Sequence, residues 1–186
     1  MNLKLVFMNS IPKFIDLINS SGPDISNILR KRIQVNLPLS YDAGIKYLNE
    51  NNRLSFKDPD HHFEDPIEDL VYNTNINFLA FSGIVFRGKI RIIPPGYRCF
   101  AKWNDDNNIC MNNLGYILSF QDGYNKDIQH IANNFYDFLD LCYAGWRYDN
   151  CLIYNLPFPE EKELAEKLIE KRVNKVWVNK IFNYKC

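Results

Sequence analysis

The chain has 186 residues, of which 46% are apolar and 15% aromatic. That composition is enough for one packed core and argues against a mainly disordered chain. Lys plus Arg and Asp plus Glu each total 22, so the formal net charge is zero and strong non-specific binding to nucleic acid is not expected.

The N-terminal Met1–Met8 carries too short an apolar run for a secretory leader, and Leu3–Phe7 reads as a short strand. Ser10 precedes Ile11-Pro12, a helix start with proline in the first turn, and Phe14, Ile15, Leu17 and Ile18 supply an apolar face. Residues 24–33 predict a second short helix, with Arg30-Lys-Arg32 turned to water. Leu37-Pro38 opens a third, capped by Ser40 and lined by Tyr41, Ile45 and Leu48. Residues 53–69, acidic and broken by Pro59 and Pro66, read as a loop.

From Ile76 the apolar period shortens. Segments 78–81, 84–86, 89–93, 98–103 and 114–120 are rich in β-formers and separated by turn residues. Arg87-Gly-Lys89 and Asp105–Asn108 are expected hairpin turns. The result is a meandering antiparallel sheet. Ile128, Ile131, Phe135, Phe138, Leu139 and Cys142 then recur at helical spacing, which predicts an amphipathic helix over 127–142 ending near Gly145. Its aromatic face needs a large cover, and the sheet is the candidate. Cys151–Tyr154 suggests another strand. A helix over 160–174 follows, with Glu163 and Lys167 one turn apart. Lys175–Phe182 reads as a final strand. The fold class is therefore α+β: N-terminal helices first, a meandering antiparallel sheet covered by helices, and a C-terminal helix appended. No stretch is apolar for long enough to span a membrane, so no membrane partner is expected.

Chemical motifs are sparse. His61 and His62 are adjacent and diverge on regular structure, and His130 is distant, so no metal is expected. The five cysteines are odd in number and form no CxxC pair, which fits reduced thiols in a cytoplasmic compartment. Cys142 reads as a small core residue. No phosphate loop, dinucleotide fingerprint or nucleophile elbow is present, so no cofactor is expected. The densest feature is acidic: Asp58, Asp60, Glu64, Asp65, Glu68 and Asp69 crowd one short segment beside Lys57. Such a patch is either a solvated face or a surface that steers a basic partner. Trp103, Asp105 and Asp106 add an aromatic and two acids at a turn.

Leu37-Pro38 with Tyr41, followed much later by Ile131-Ala132, Phe135 and Phe138-Leu139, resembles the motifs of the SMI1/KNR4 group, also called the SUKH superfamily. The intervening strand-like segments come in the order that group shows. The resemblance covers roughly residues 10 to 145, and Asn49-Glu-Asn-Asn52 stands where the group prefers Asn-Gly. It implies an α+β domain over 1–150 with residues 151–186 as a helix/strand extension on the same domain. It also implies an interaction protein without catalysis. Bacterial members commonly act as immunity proteins against toxins, often nucleases. The expected partner is then a basic toxin nuclease domain, bound through Asp58, Asp60, Glu64, Asp65, Glu68, Asp69, Trp103, Asp105 and Asp106, with no nucleic acid bound directly. The alternative is a small cytosolic enzyme using His130, or His61 and His62, with a cysteine or carboxylate.

Overall fold

The computed structural model describes residues 9–21, 54–93, 95–104, 107–121, 127–153 and 161–182. The expected strand at Leu3–Phe7, the helices at 24–33 and 37–48, and the Leu37-Pro38-Tyr41 motif lie outside those residues.

Helix α1 (Ile11–Ser21) begins where Ser10 Oγ accepts a hydrogen bond from the Lys13 N–H at 3.4 Å. It buries Ile11, Phe14, Ile15 and Ile18. Helix α2 (Pro66–Asn73) begins inside the segment 53–69 expected to be a loop. Asp65 caps it, accepting the Ile67 and Glu68 N–H groups at 2.9 and 3.0 Å, and Pro66 occupies the first turn. Proline there costs nothing, because that N–H has no partner within a helix. Of the two prolines that suggested a loop, Pro66 therefore marks a helix start. A 3-10 turn over Ile76–Phe78 leads into the sheet.

The sheet has six antiparallel strands in sequential order: β1 (Ala80–Phe81), β2 (Ile84–Ile92), β3 (Tyr97–Trp103), β4 (Asn107–Asn112), β5 (Ile117–Gln121) and β6 (Gln129–Ala132). The first hairpin turns at Ser82-Gly83, both at positive φ (47° and 85°), as a two-residue primed turn requires. Arg87-Gly-Lys89 is not a turn. It lies within β2, where the register against β3 shifts between Phe86 and Arg91. Glycine marks an irregular strand there, not a chain reversal.

Helix α3 (Phe135–Ile153) crosses the sheet. It starts later than its periodicity suggests, because Asn134 and Asp137 cap each other: Asp137 N–H donates to Asn134 Oδ1 (2.9 Å) and Asn134 Nδ2 to Asp137 Oδ2 (2.7 Å). Residues 129–132 become β6 instead. The helix also runs past Gly145 through Cys151–Ile153, which removes the strand expected there. Phe135 and Phe138 meet Phe100 at ring distances of 5.4 and 5.5 Å, and Phe138 meets Phe86 at 6.1 Å. The aromatic face of α3 is thus covered by β2 and β3. Gly145 lets α3 approach the first hairpin: a Cβ there would stand 3.1 Å from Ser82 Cβ. Asp149 ties the same serine down, accepting its N–H at 2.7 Å and its hydroxyl at 2.9 Å.

Helix α4 (Glu161–Glu170) carries the Glu163–Lys167 pair at 2.6 Å. Lys175–Phe182 is helix α5, not a strand. Its buried residues Trp177, Val178, Ile181 and Phe182 fall at helical spacing and complete the core beside α3. β-branched and aromatic composition suggested a strand, but tertiary packing overrode that propensity.

Cys99 and Cys110 face each other across β3 and β4 and form a disulfide, contrary to the expectation of reduced thiols. With Phe120 they make a small separate cluster. Cys142 is free and buried in the main core, as expected. No helix among the described residues is long and apolar enough to cross a membrane.

Candidate interaction surface

The acidic segment is built from the chain leading into α2. Leu54 is bound on both sides by Asn19, whose Nδ2 donates to the Leu54 carbonyl (2.8 Å) and whose Oδ1 accepts the Leu54 N–H (3.0 Å). Ser55 N–H donates to Asn75 Oδ1 (2.9 Å), and Phe56 forms an antiparallel bridge with Thr74. Asn73 then reaches back. Its Oδ1 accepts the Asp58 N–H at 3.1 Å, while its Nδ2 donates to the His61 carbonyl and to Asp69 Oδ1. One buried asparagine therefore secures the chain at Asp58 and His61 ahead of the helix.

The six acids separate into two sets. Asp69 is only 5% exposed and accepts the Phe63 N–H at 3.2 Å as well as Asn73 Nδ2 at 3.1 Å. His62 Nδ1 lies 3.2 Å from its other oxygen. Asp65 caps α2 with Oδ1 and takes Arg98 Nη1 at 2.6 Å with Oδ2, while Glu68 takes Arg98 Nη2 at 3.2 Å. These three carboxylates hold the helix and its approach in place. Asp58, Asp60 and Glu64 are exposed, and no described lysine, arginine or histidine forms an ion pair with them. Asp58 Oδ1 accepts the Asp60 N–H at 3.1 Å, a local turn that fixes the backbone and leaves both side chains in water.

The Asp65–Arg98 pair also perturbs the ionisation of both partners. Partial burial pushes the Asp65 carboxyl up, but the hydrogen bond and charge of Arg98 with the two backbone N–H groups hold it below the ordinary carboxylate range. Arg98 is raised in turn, first by its hydrogen bond to Asp65.

Trp103 lies apart from this surface. Its ring meets Trp177 at 5.3 Å, and Lys180 Nζ sits 4.7 Å over it and 4.3 Å over Trp177. Burial lowers the Lys180 ammonium. Asp105 and Asp106 lie outside the described residues. Lys171 is spent similarly on structure, reaching Asp140 at 2.7 Å. His130 packs on Tyr116, and His61 packs on Phe63. No group of three His, Cys, Asp or Glu side chains among the described residues is placed to hold a metal ion. Sequence reasoning missed Asn73 and Arg98, which organise the site. Neither carries a local signal, because their partners lie up to 33 positions away.

A family-model scan, a search of curated proteins and a search of solved structures each found no match to this chain.

Proposed function

We propose that this chain is a binding protein without catalysis whose exposed acids Asp58, Asp60 and Glu64 engage a cationic protein. The best-fitting partner is a basic toxin nuclease domain, which an immunity protein would neutralise by covering its active site. The observation that carries the reading is the division of labour among the acids. Three are consumed in fixing the segment, and three stay exposed, with no ion pair to a base among the described residues, on a backbone tied at Asn73 and Asn19. A fixed array of like charges steers a complementary partner and costs little ordering on binding. The resemblance to the SMI1/KNR4 group points the same way.

The test is affinity capture with the full chain from its own host, followed by association kinetics at low salt with Asp58→Lys/Asp60→Lys/Glu64→Lys. The wild-type chain should retain a basic protein, and the triple variant should associate about tenfold more slowly. A captured nuclease should lose activity at equimolar chain. Equal association rates for the two chains would sink the reading.

A catalytic reading rests on the His62–Asp69 contact, where a buried carboxylate orients an imidazole that is 48% exposed. It predicts a turnover that His62→Ala abolishes.

A further inference from the structure

Beside the acidic segment, a groove of about 330 Å³ runs between α1 and residues 54–59. Its apolar lining is Pro12, Ile15, Leu54, Phe56 and Pro59, and Asp16 stands at its edge. We propose that this groove receives an apolar anchor side chain from a cationic, amphipathic segment of the partner protein, an inference that rests on the binding role proposed above.

Three observations define the occupant. The volume lies at the small end of ligand pockets, about 300–1,000 Å³, and suits a side chain better than a cofactor. The floor is rigid: Leu54 and Ile15 are 1% and 7% exposed, and the amide of Asn19 is committed to the Leu54 backbone on both sides. That leaves little to orient a polar small molecule. The rim is negative. Asp16 is exposed on α1, and Asp58 and Asp60 stand on the same segment as Phe56 and Pro59. The nearest base on that segment, Lys57, turns its ammonium to the Tyr72 carbonyl at 3.0 Å. An apolar slot beside exposed acids complements a helix that carries Leu or Phe on one face with Arg or Lys beside it.

The probe is a synthetic helix of about four turns with leucines on one face and arginines elsewhere. A control peptide replaces the leucines by serine at the same charge. Binding to the full chain is followed by amide shifts. The shifts should centre on Ile15, Asn19, Leu54, Ser55 and Phe56. Ser55→Trp, a change at an exposed position on the groove wall, should weaken binding about tenfold while the urea midpoint stays put. Pro12→Trp, on the opposite wall, serves as the second blocking variant. Equal binding of the serine peptide, with Ser55→Trp and Pro12→Trp both silent, would overturn the groove but leave the acidic surface standing. The reverse pattern, with the Asp58, Asp60 and Glu64 reversal silent and the groove variants inactive, would sink the acidic surface and keep the anchor site.

Discussion

Asp65 and Arg98 join α2 to β3 through a 2.6 Å contact, and the same carboxylate caps the helix with its other oxygen. One side chain thus starts α2 and sets its position on the sheet. Removing it should cost the cap, about 1 kcal/mol, and a half-exposed ion pair worth less. Asp65→Ala is expected to lower unfolding stability by about 1–2 kcal/mol in urea, and Arg98→Ala by less, because the cap survives.

The same carboxylate sets part of the acid limb of stability. Its folded pKa lies below its unfolded value, so its contribution is full above about pH 4 and is lost as pH falls through the folded value. Asp137 has the opposite sign. Burial raises it, against the pull of Lys171 and Asn134, so it contributes less as pH rises through the carboxylate range. Asp65→Asn should flatten the loss of stability below about pH 4, and urea midpoints across that range measure it.

Neighbouring acids should respond in opposite ways. Asp69→Ala leaves the Phe63 N–H and the Asn73 amide without their acceptor in a buried place, and should cost about 2–3 kcal/mol. Asp60→Lys and Glu64→Lys should each stay within about 0.5 kcal/mol of the parent, and Asp58→Lys, which gives up the Asp60 N–H, within about 1 kcal/mol. Equal destabilisation across both sets in thermal melts would remove the distinction between anchoring and solvent-facing carboxylates.

Gly145 lies inside a helix, where alanine usually gains about 1 kcal/mol. Here the added methyl meets Ser82, which Asp149 holds by two hydrogen bonds, and Ile181. Ser82 has little freedom to move away. Gly145→Ala is therefore expected to destabilise by about 1–2 kcal/mol, with Gly145→Val worse, as denaturant titration would show.

The Cys99–Cys110 bridge closes a short loop, with the two residues separated by 11 positions. Reduction should lower stability by about 2–3 kcal/mol without abolishing the fold, since the β3–β4 ladder persists. Burial and the nearby Asp140 charge push the Cys142 thiol well up. Mass spectrometry after alkylation should find Cys142 unlabelled until the chain unfolds.

Local pattern alone was enough for the architecture. The order of short β-rich segments, the aromatic stripe at Phe135, Phe138 and Leu139, the start of α1 at Ser10, the Glu163–Lys167 pair and the burial of Cys142 were all readable, because each depends on spacing within a few residues. Boundaries failed where side chains compete with the backbone. Asn134 and Asp137 stop a helical pattern, Asp65 and Pro66 start one inside an apparent loop, and Trp177 with Ile181 turn a β-rich composition into a helix.

Tertiary contacts alone decided the roles of the charged and sulfur-bearing groups. Whether a carboxylate anchors or faces water depends on what arrives from distant chain: Arg98 for Asp65 and Glu68, Asn73 for Asp69, open solvent for Asp58, Asp60 and Glu64. The pairing of Cys99 with Cys110 likewise follows from strand register, not spacing. Periodicity records which faces are buried. It carries no information on which polar groups meet there, because hydrogen bonds and ion pairs form between atoms brought together only after the chain has packed.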